Sequence, residues 1–308
     1  MLRIKTAARL FLGRAWCMFP LLLMACTTAP VAPVVAPVAI PAAPPIARPP
    51  PKIALALGGG GARGFAHIGV IKALEAQGIT PDIIVGTSAG SAIGALYAAG
   101  YTGFQLQKMS IPMKEDKVVD WTWPNRGLFT GTPLVNFINS AVKQRPLEKL
   151  NRTFAAVATD LASGEEVIFR TGNTGLAVSA SCAVPGVFQP VVINGRSYVD
   201  GGLVSPVPVM EARALGADFV IAVNISNSPQ NNRTDSTLDV LMQSFDIMSQ
   251  TINRCELPKA DVVISPVTRG ISQDSLDDRN LAILEGEKAV AAILPELKEK
   301  LAKLRRER

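Results

Sequence analysis

From Lys52 onward the hydrophobic pattern becomes that of a folded body. Ile53-Ala54-Leu55-Ala56-Leu57 is an unbroken apolar run of strand length, followed by GGGGARGFAH, Gly58 to His67. Continuous apolar runs, unlike alternating ones, suit strands covered on both faces, as in a parallel sheet. A helix then reads through IGVIKALEAQ to about Ala76, and Gly78 closes it. Asp82-Ile83-Ile84-Val85 is a second buried strand, running into GTSAG, Gly86 to Gly90, and a small-residue helix ending near Gly100. Strand, glycine turn, helix, strand, sharp turn, helix predicts an α/β fold with a largely parallel central sheet.

Further strands are expected at Phe154 to Ala158, Phe219 to Val223 and Val262 to Ile264. Glu166 to Phe169 and Val191 to Val199 suggest smaller antiparallel additions. Helices are expected over Pro133 to Lys143, over Val209 to Leu215 and from Leu281 onward. The last helix has apolar positions at Ile283, Leu284, Val290, Ile293, Leu294, Leu297, Leu301 and Leu304, a face for packing on the body. Asp120-Trp121-Thr122-Trp123-Pro124, with Phe129 nearby, puts aromatic side chains on a loop, and Asn227 to Asp235 reads as a polar connector. No internal repeat is present, so residues 52–308 read as one domain.

The first 51 residues follow a different rule. Arg3, Lys5, Arg9 and Arg14 precede a short apolar stretch from Phe19 to Ala25. That is the layout of a secretory leader, residues 1–25, and it is shorter than the ~20 apolar residues a membrane-crossing helix needs. Leu23-Met24-Ala25-Cys26 resembles a bacterial lipoprotein box, in which Cys26 would carry the lipid. Thr27 rather than aspartate follows it, so the expectation is a lipid anchor in the bacterial cell envelope, at the outer membrane. Thr27 to Pro51 is almost wholly Pro, Ala and Val; proline fixes φ and removes donors, so residues 26–51 read as an anchor and an extended spacer.

Charge changes the picture only once the leader is set aside. The whole chain has 31 basic and 25 acidic residues; without the four leader cations 27 remain against 25, near +2. That balance gives no reason to expect nucleic acid as a partner. Cys17 leaves with the leader, and sequence alone leaves open whether Cys182 and Cys255 pair. No CxxC or clustered Cys/His pattern suggests a metal.

Candidate chemistry gathers at the glycine turns. A nucleophilic serine must stand clear of a tight strand-to-helix turn, and in G-T-S-A-G the residues Gly86 and Gly90 clear the space around Ser88. The helix that follows aims its N-terminal donors at the same point. A histidine base is hard to find: the single histidine, His67, lies directly behind the glycine run and is expected to pack there. Asp200, in Tyr198-Val199-Asp200-Gly201-Gly202, follows a strand and precedes two residues that allow close backbone approach. A carboxylate within reach of Ser88 can take its proton, although D-G-G by itself is only a turn signal. Amides around Gly59, Gly60 and Gly61 can face a developing oxyanion without Cβ interference. Arg63 adds positive charge to that loop, either to orient it or to meet a lipid phosphate, or simply as half of an ion pair.

The ordered set GGGGARG (Gly58 to Gly64), GTSAG (Gly86 to Gly90) and DGG (Asp200 to Gly202) resembles the bacterial branch of the patatin-like phospholipase family. The block Ser179-Ala180-Ser181-Cys182-Ala183-Val184-Pro185-Gly186 is similar to that family's segment before its catalytic aspartate. The resemblance implies a three-layer α/β/α fold and a Ser–Asp dyad, with Ser88 as nucleophile and Asp200 as base. It further implies an oxyanion hole from the Gly59 to Gly61 amides, supported by Arg63, Gly86, Gly90, Gly201 and Gly202. Phospholipid, lysophospholipid or another acyl ester would be the substrate, through an acyl-enzyme and with no cofactor or metal. Two other readings compete. A dinucleotide-binding loop would account for the glycine run, but Asp82 precedes its strand instead of ending it, and GTSAG and DGG go unexplained. A non-catalytic envelope lipoprotein, binding lipid or a partner protein on a retained hydrolase fold, has no chemical reason to keep both Ser88 and Asp200.

Overall fold

The computed structural model describes residues 49–112, 129–226, 228–229, 234–271 and 276–307. The leader, Cys26, the spacer up to residue 48, the Trp121–Trp123 loop and part of the polar connector lie outside the described residues.

An eight-stranded mixed sheet forms the centre. Its strands are β1 (Ile53–Leu57), β2 (Ile83–Thr87), β3 (Thr153–Asp160), β4 (Glu166–Phe169), β5 (Val191–Ile193), β6 (Arg196–Asp200), β7 (Phe219–Val223) and β8 (Val262–Ile264). The order is β5-β6-β3-β2-β1-β7-β8, with β4 pairing β3 off this path. Strands β3, β2, β1, β7 and β8 run parallel. The other pairings, β3–β4, β3–β6 and β5–β6, are antiparallel. The apolar runs and the two antiparallel additions expected from the sequence therefore stand.

The helices are α1 (Phe65–Ala76), α2 (Ala89–Ala98), α3 (Gly103–Ser110), α4 (Thr132–Ala141), α5 (Thr174–Ser181), α6 (Val209–Ala214), α7 (Thr237–Glu256) and α8 (Arg279–Arg306). Strand residues alternate between two cores, as the period-two geometry of a strand demands. Leu55, Leu57, Ile84, Phe154, Ile221 and Val223 pack with α1, α2, α5 and α8 on one face. Ala54, Ala56, Val85, Val157, Val220 and Ala222 pack with α6 on the other. Two helical layers around one sheet make this a three-layer α/β/α fold.

Helix α8 lies on α1 at glycine contacts. A Cβ on Gly69 would sit 1.9 Å from Ile283 O, and one on Gly286 would sit 2.1 Å from Ala66 O, so the two backbones touch where only hydrogen fits. Ile283, Val290, Leu297 and Leu301 are buried along that contact. Leu284 departs from the expected apolar face: it is 45% exposed, because the crossing turns Ile283 and Gly286 inward and leaves its neighbour outside. Among the described residues no helix is long and apolar enough to cross a membrane.

Candidate active site

The parallel strands deliver three turns to one edge of the sheet. β1 ends at Leu57 and opens the glycine run, and β2 ends at Thr87 and opens onto Ser88. β3 brings in the third: Thr87 is level with Val157, and the next residue, Ala158, is level with Asp200 of antiparallel β6. Ser88 and Asp200, 112 positions apart in sequence, thus meet through one shared strand. This edge lies beyond the carboxyl ends of β1, β2 and β7, where strand order reverses and open α/β sheets bind ligands.

Ser88 has φ 52° and ψ −124°, a backbone region side-chain-bearing residues rarely adopt. The fold holds it there atom by atom. Its N–H donates to Ser181 Oγ at 2.9 Å, and its carbonyl accepts from Ser91 Oγ at 2.7 Å. Thr87 Oγ1 donates to Ser205 O at 2.7 Å. The flanking glycines are sterically required: a Cβ on Gly86 would fall 2.4 Å from Gly90 O, and one on Gly90 would fall 2.0 Å from Leu57 O. Gly59 also comes close, since its Cβ would lie 3.2 Å from Ser88 Cβ.

Asp200 is 3% exposed. Its N–H donates to Ala183 O at 2.9 Å and its carbonyl accepts from Thr159 Oγ1 at 2.9 Å. Oδ1 accepts from Gly202 N at 2.7 Å. Oδ2 is buried and, among the described residues, has no hydrogen bond of ordinary geometry. The Ser88 hydroxyl is near enough to favour the ionised form, yet it does not close a regular bond to Oδ2. Burial dominates, pushing the carboxyl up to about 6, against the opposing pull of Ser88 and the Gly202 amide. Gly201 permits this turn, as a Cβ there would lie 2.2 Å from Val157 O.

The glycine run is pinned peptide by peptide. Gly58 O takes a hydrogen bond from His67 Nε2 at 2.8 Å, and Gly59 N donates to Pro206 O at 3.0 Å. The N–H of Gly59 is therefore already committed, which corrects its expected place among the oxyanion donors. Gly60 and Gly61 line the cleft, and their amides make no hydrogen bond among the described residues. His67 is fully buried; a carbonyl only accepts, so Nε2 carries the proton, and Nδ1 has no hydrogen-bond partner among the described residues. Burial lowers its pKa to about 4. As expected, this histidine packs behind the loop and holds it.

The comparisons with known proteins bear on this geometry. Residues 55–213, just over half of the chain, match the model of the patatin-like phospholipases. The chain belongs to that family. It is 35% identical over 192 residues to an uncharacterized NTE family protein of Mycobacterium tuberculosis, covering 62% of this chain and 53% of that protein. It is also 35% identical over 188 residues to patatin-like phospholipase domain-containing protein 6 of Homo sapiens, covering 58% of this chain and 14% of that one. The chain thus spans about half the length of the mycobacterial relative. The crystal structure of VipD from Legionella pneumophila superposes with a TM-score of 0.56 over 80% of this chain and 67% of its own, at 14% identity, a likeness of fold alone.

Everything in the site so far lies within or beside this patatin-like segment, but the cleft has another wall. Gly59, Gly60, Gly61, Arg63, Ser88, Val184, Asp200, Gly202 and Pro206 line one side. Met242, Phe245, Asp246 and Ser249 of α7 line the other, with Ser226 after β7. Helix α7 was not expected from the hydrophobic pattern, because its pocket-side positions mix apolar and polar residues. Between the walls is about 60 Å³, well below the ~300 Å³ at the small end of ligand clefts. It is space for a reacting ester group and not for an acyl chain. Cys182, beside Ser91 at 3.7 Å, has its thiol pushed up to about 12 by burial and the Asp200 charge, and so stays protonated. Cys182 and Cys255 are both free, which settles the pairing left open by the sequence.

Proposed function

We propose that this chain is a serine acyl-ester hydrolase acting on phospholipid or lysophospholipid. Ser88 is the nucleophile and Asp200 the base. The observation that carries the reading is the pairing of Ser88 in its φ 52° turn with a desolvated carboxylate at the same cleft. Oδ2 of Asp200 takes the hydroxyl proton as Ser88 Oγ adds to the ester carbonyl. The tetrahedral oxyanion is met by the amides of Gly60 and Gly61, and collapse expels the alcohol or lysolipid, which leaves with a proton from Asp200. Water then attacks the acyl-serine as Asp200 takes its proton, and the fatty acid departs as Asp200 returns that proton to Ser88 Oγ. A carboxylate titrating near 6 is ionised at neutral pH yet basic enough to serve, closer to working pH than an ordinary aspartate. Met242 and Phe245 put apolar side chains on the wall that faces the reacting ester group. A lipid anchor at Cys26 and the proline-rich spacer would hold this cleft near the bilayer of the bacterial envelope.

The test is fatty-acid release from mixed phospholipid and lysophospholipid micelles, with and without chelator. Wild type should release fatty acid in both conditions, and Ser88→Ala and Asp200→Asn should not. A folded wild type that releases none from any lipid would sink the reading.

A further inference from the structure

Arg63 is 1% exposed and bonded in a way the reaction scheme does not yet use. Its Nε donates to Gly60 O at 3.2 Å, its own N–H donates to the same oxygen at 3.2 Å, and its Nη2 lies 3.6 Å from Asp246 Oδ1. The Gly60 carbonyl and the Gly61 N–H belong to one planar trans peptide and point in opposite directions. Whatever fixes the carbonyl therefore aims the amide. Gly61 has φ +57°, a left-handed conformation that glycine adopts without a Cβ penalty.

Asp246 belongs to α7, beyond residues 55–213 that match the family model. It is buried and lines the cleft opposite the glycine run. A buried guanidinium needs a counter-charge to remain ordered as a cation. Here that counter-charge comes from a helix with no share in the glycine or serine turns.

We infer that Asp246 is a positioning residue for the hydrolysis proposed above: by fixing the Arg63 guanidinium against Gly60 O, it aims the Gly61 N–H at the oxyanion. The inference rests on the hydrolase reading and adds to it a route by which α7 sets the rate. An ion pair that only fastened α7 to the body would alter stability and leave turnover per folded molecule unchanged. A positioning pair acts in the transition state, so its loss lowers kcat and kcat/KM together.

Asp246→Asn keeps the shape and removes the charge, and Asp246→Glu restores the charge on a longer arm. In the full chain, Asp246→Asn should lower kcat about tenfold or more with KM within about twofold. Asp246→Glu should recover part of the loss, and Ser244→Ala, on the exposed side of α7, should match wild type. Arg63→Lys should fall at least as far, because an ammonium cannot reach both partners as the fork does, and adding Asp246→Asn should cost little more. Folded Asp246→Asn with unchanged kcat would overturn the inference. A second readout does not depend on turnover: in ¹⁵N-glycine-labelled protein, Asp246→Asn should move the Gly61 amide resonance and leave those of the remote Gly164 and Gly216 in place. Should wild type hydrolyse no lipid, the hydrolase reading falls by itself. The Gly61 resonance then decides the positioning claim, and an unmoved one rejects it.

Discussion

The cleft has two walls of different character. The wall within residues 55–213 carries the serine and aspartate turns and the glycine run, each held by short hydrogen bonds with Ser181, Ser91, Thr159, Pro206 or His67. The α7 wall, from the last third of the chain, packs on the Gly201–Leu203 turn and reaches the glycine run through a longer contact, Asp246 to Arg63 at 3.6 Å. Reacting groups need tight, local fixation, because about 1 Å of misplacement can cost about a hundredfold in rate. The opposite wall needs only to close the space, supply apolar surface and set one charge. It carries none of the glycine-bracketed turns of the first wall.

The largest expected break comes on the first wall. Ser88→Ala and Asp200→Asn should each cut kcat by about 10⁴-fold or more while the fold persists, as measured by fatty-acid release and circular dichroism. Asp200→Asn should also expose the cost of keeping that carboxylate dry. Its folded pKa, about 6, stands above the ordinary 3.8. Between those values the native state holds a proton the unfolded chain has lost, so stability falls as pH rises through about 6. The asparagine variant escapes this, and in urea unfolding its advantage over wild type should grow by up to about 3 kcal/mol between pH 4 and pH 8. An advantage independent of pH would mean that Asp200 is solvated.

Away from both walls, Gly286→Ala should cost about 1–3 kcal/mol, because its Cβ would strike Ala66 O at 2.1 Å. Thermal unfolding should reveal the loss, and activity per folded molecule should be kept, since α8 takes no part in the cleft. The smallest effect is the most local. Ser181→Ala orphans the buried Ser88 N–H and should slow turnover by about tenfold, with KM little changed. Loss of stability without loss of rate would place Ser181 among the packing residues alone.

The contrast between the walls also explains what could be read without coordinates. β1, β2, β3 and β7 were legible because strands buried on both faces are apolar throughout. Ser88 and Asp200 were legible because their turns need glycine at fixed positions, and steric need leaves a spelling. The helix α5 was not: Thr174 to Ser181 is buried on nearly every side, so it has no polar face to mark a period. Its Ser181 read as part of a family block and not as the acceptor of the Ser88 amide. The helix α7 escaped for the opposite reason, with Asp246 and Asn253 buried on its inner side and Val240, Ile247 and Met248 exposed on its outer side. Gly59 was misassigned because spacing reveals which amides are near an oxyanion, but not which are already bonded. Only the coordinates show Pro206 taking that donor.

The central claim is that Ser88 is activated by Asp200 and that the lone histidine only holds the loop. A fluorophosphonate that traps activated serines tests it directly, with the labelled peptide located by mass spectrometry and the labelling rate followed against pH. The account predicts a single adduct on Ser88, formed at a rate that falls as pH drops through about 6. Labelling should persist in His67→Ala and be lost in Asp200→Asn. An adduct elsewhere, or labelling that survives Asp200→Asn and disappears in His67→Ala, would contradict it.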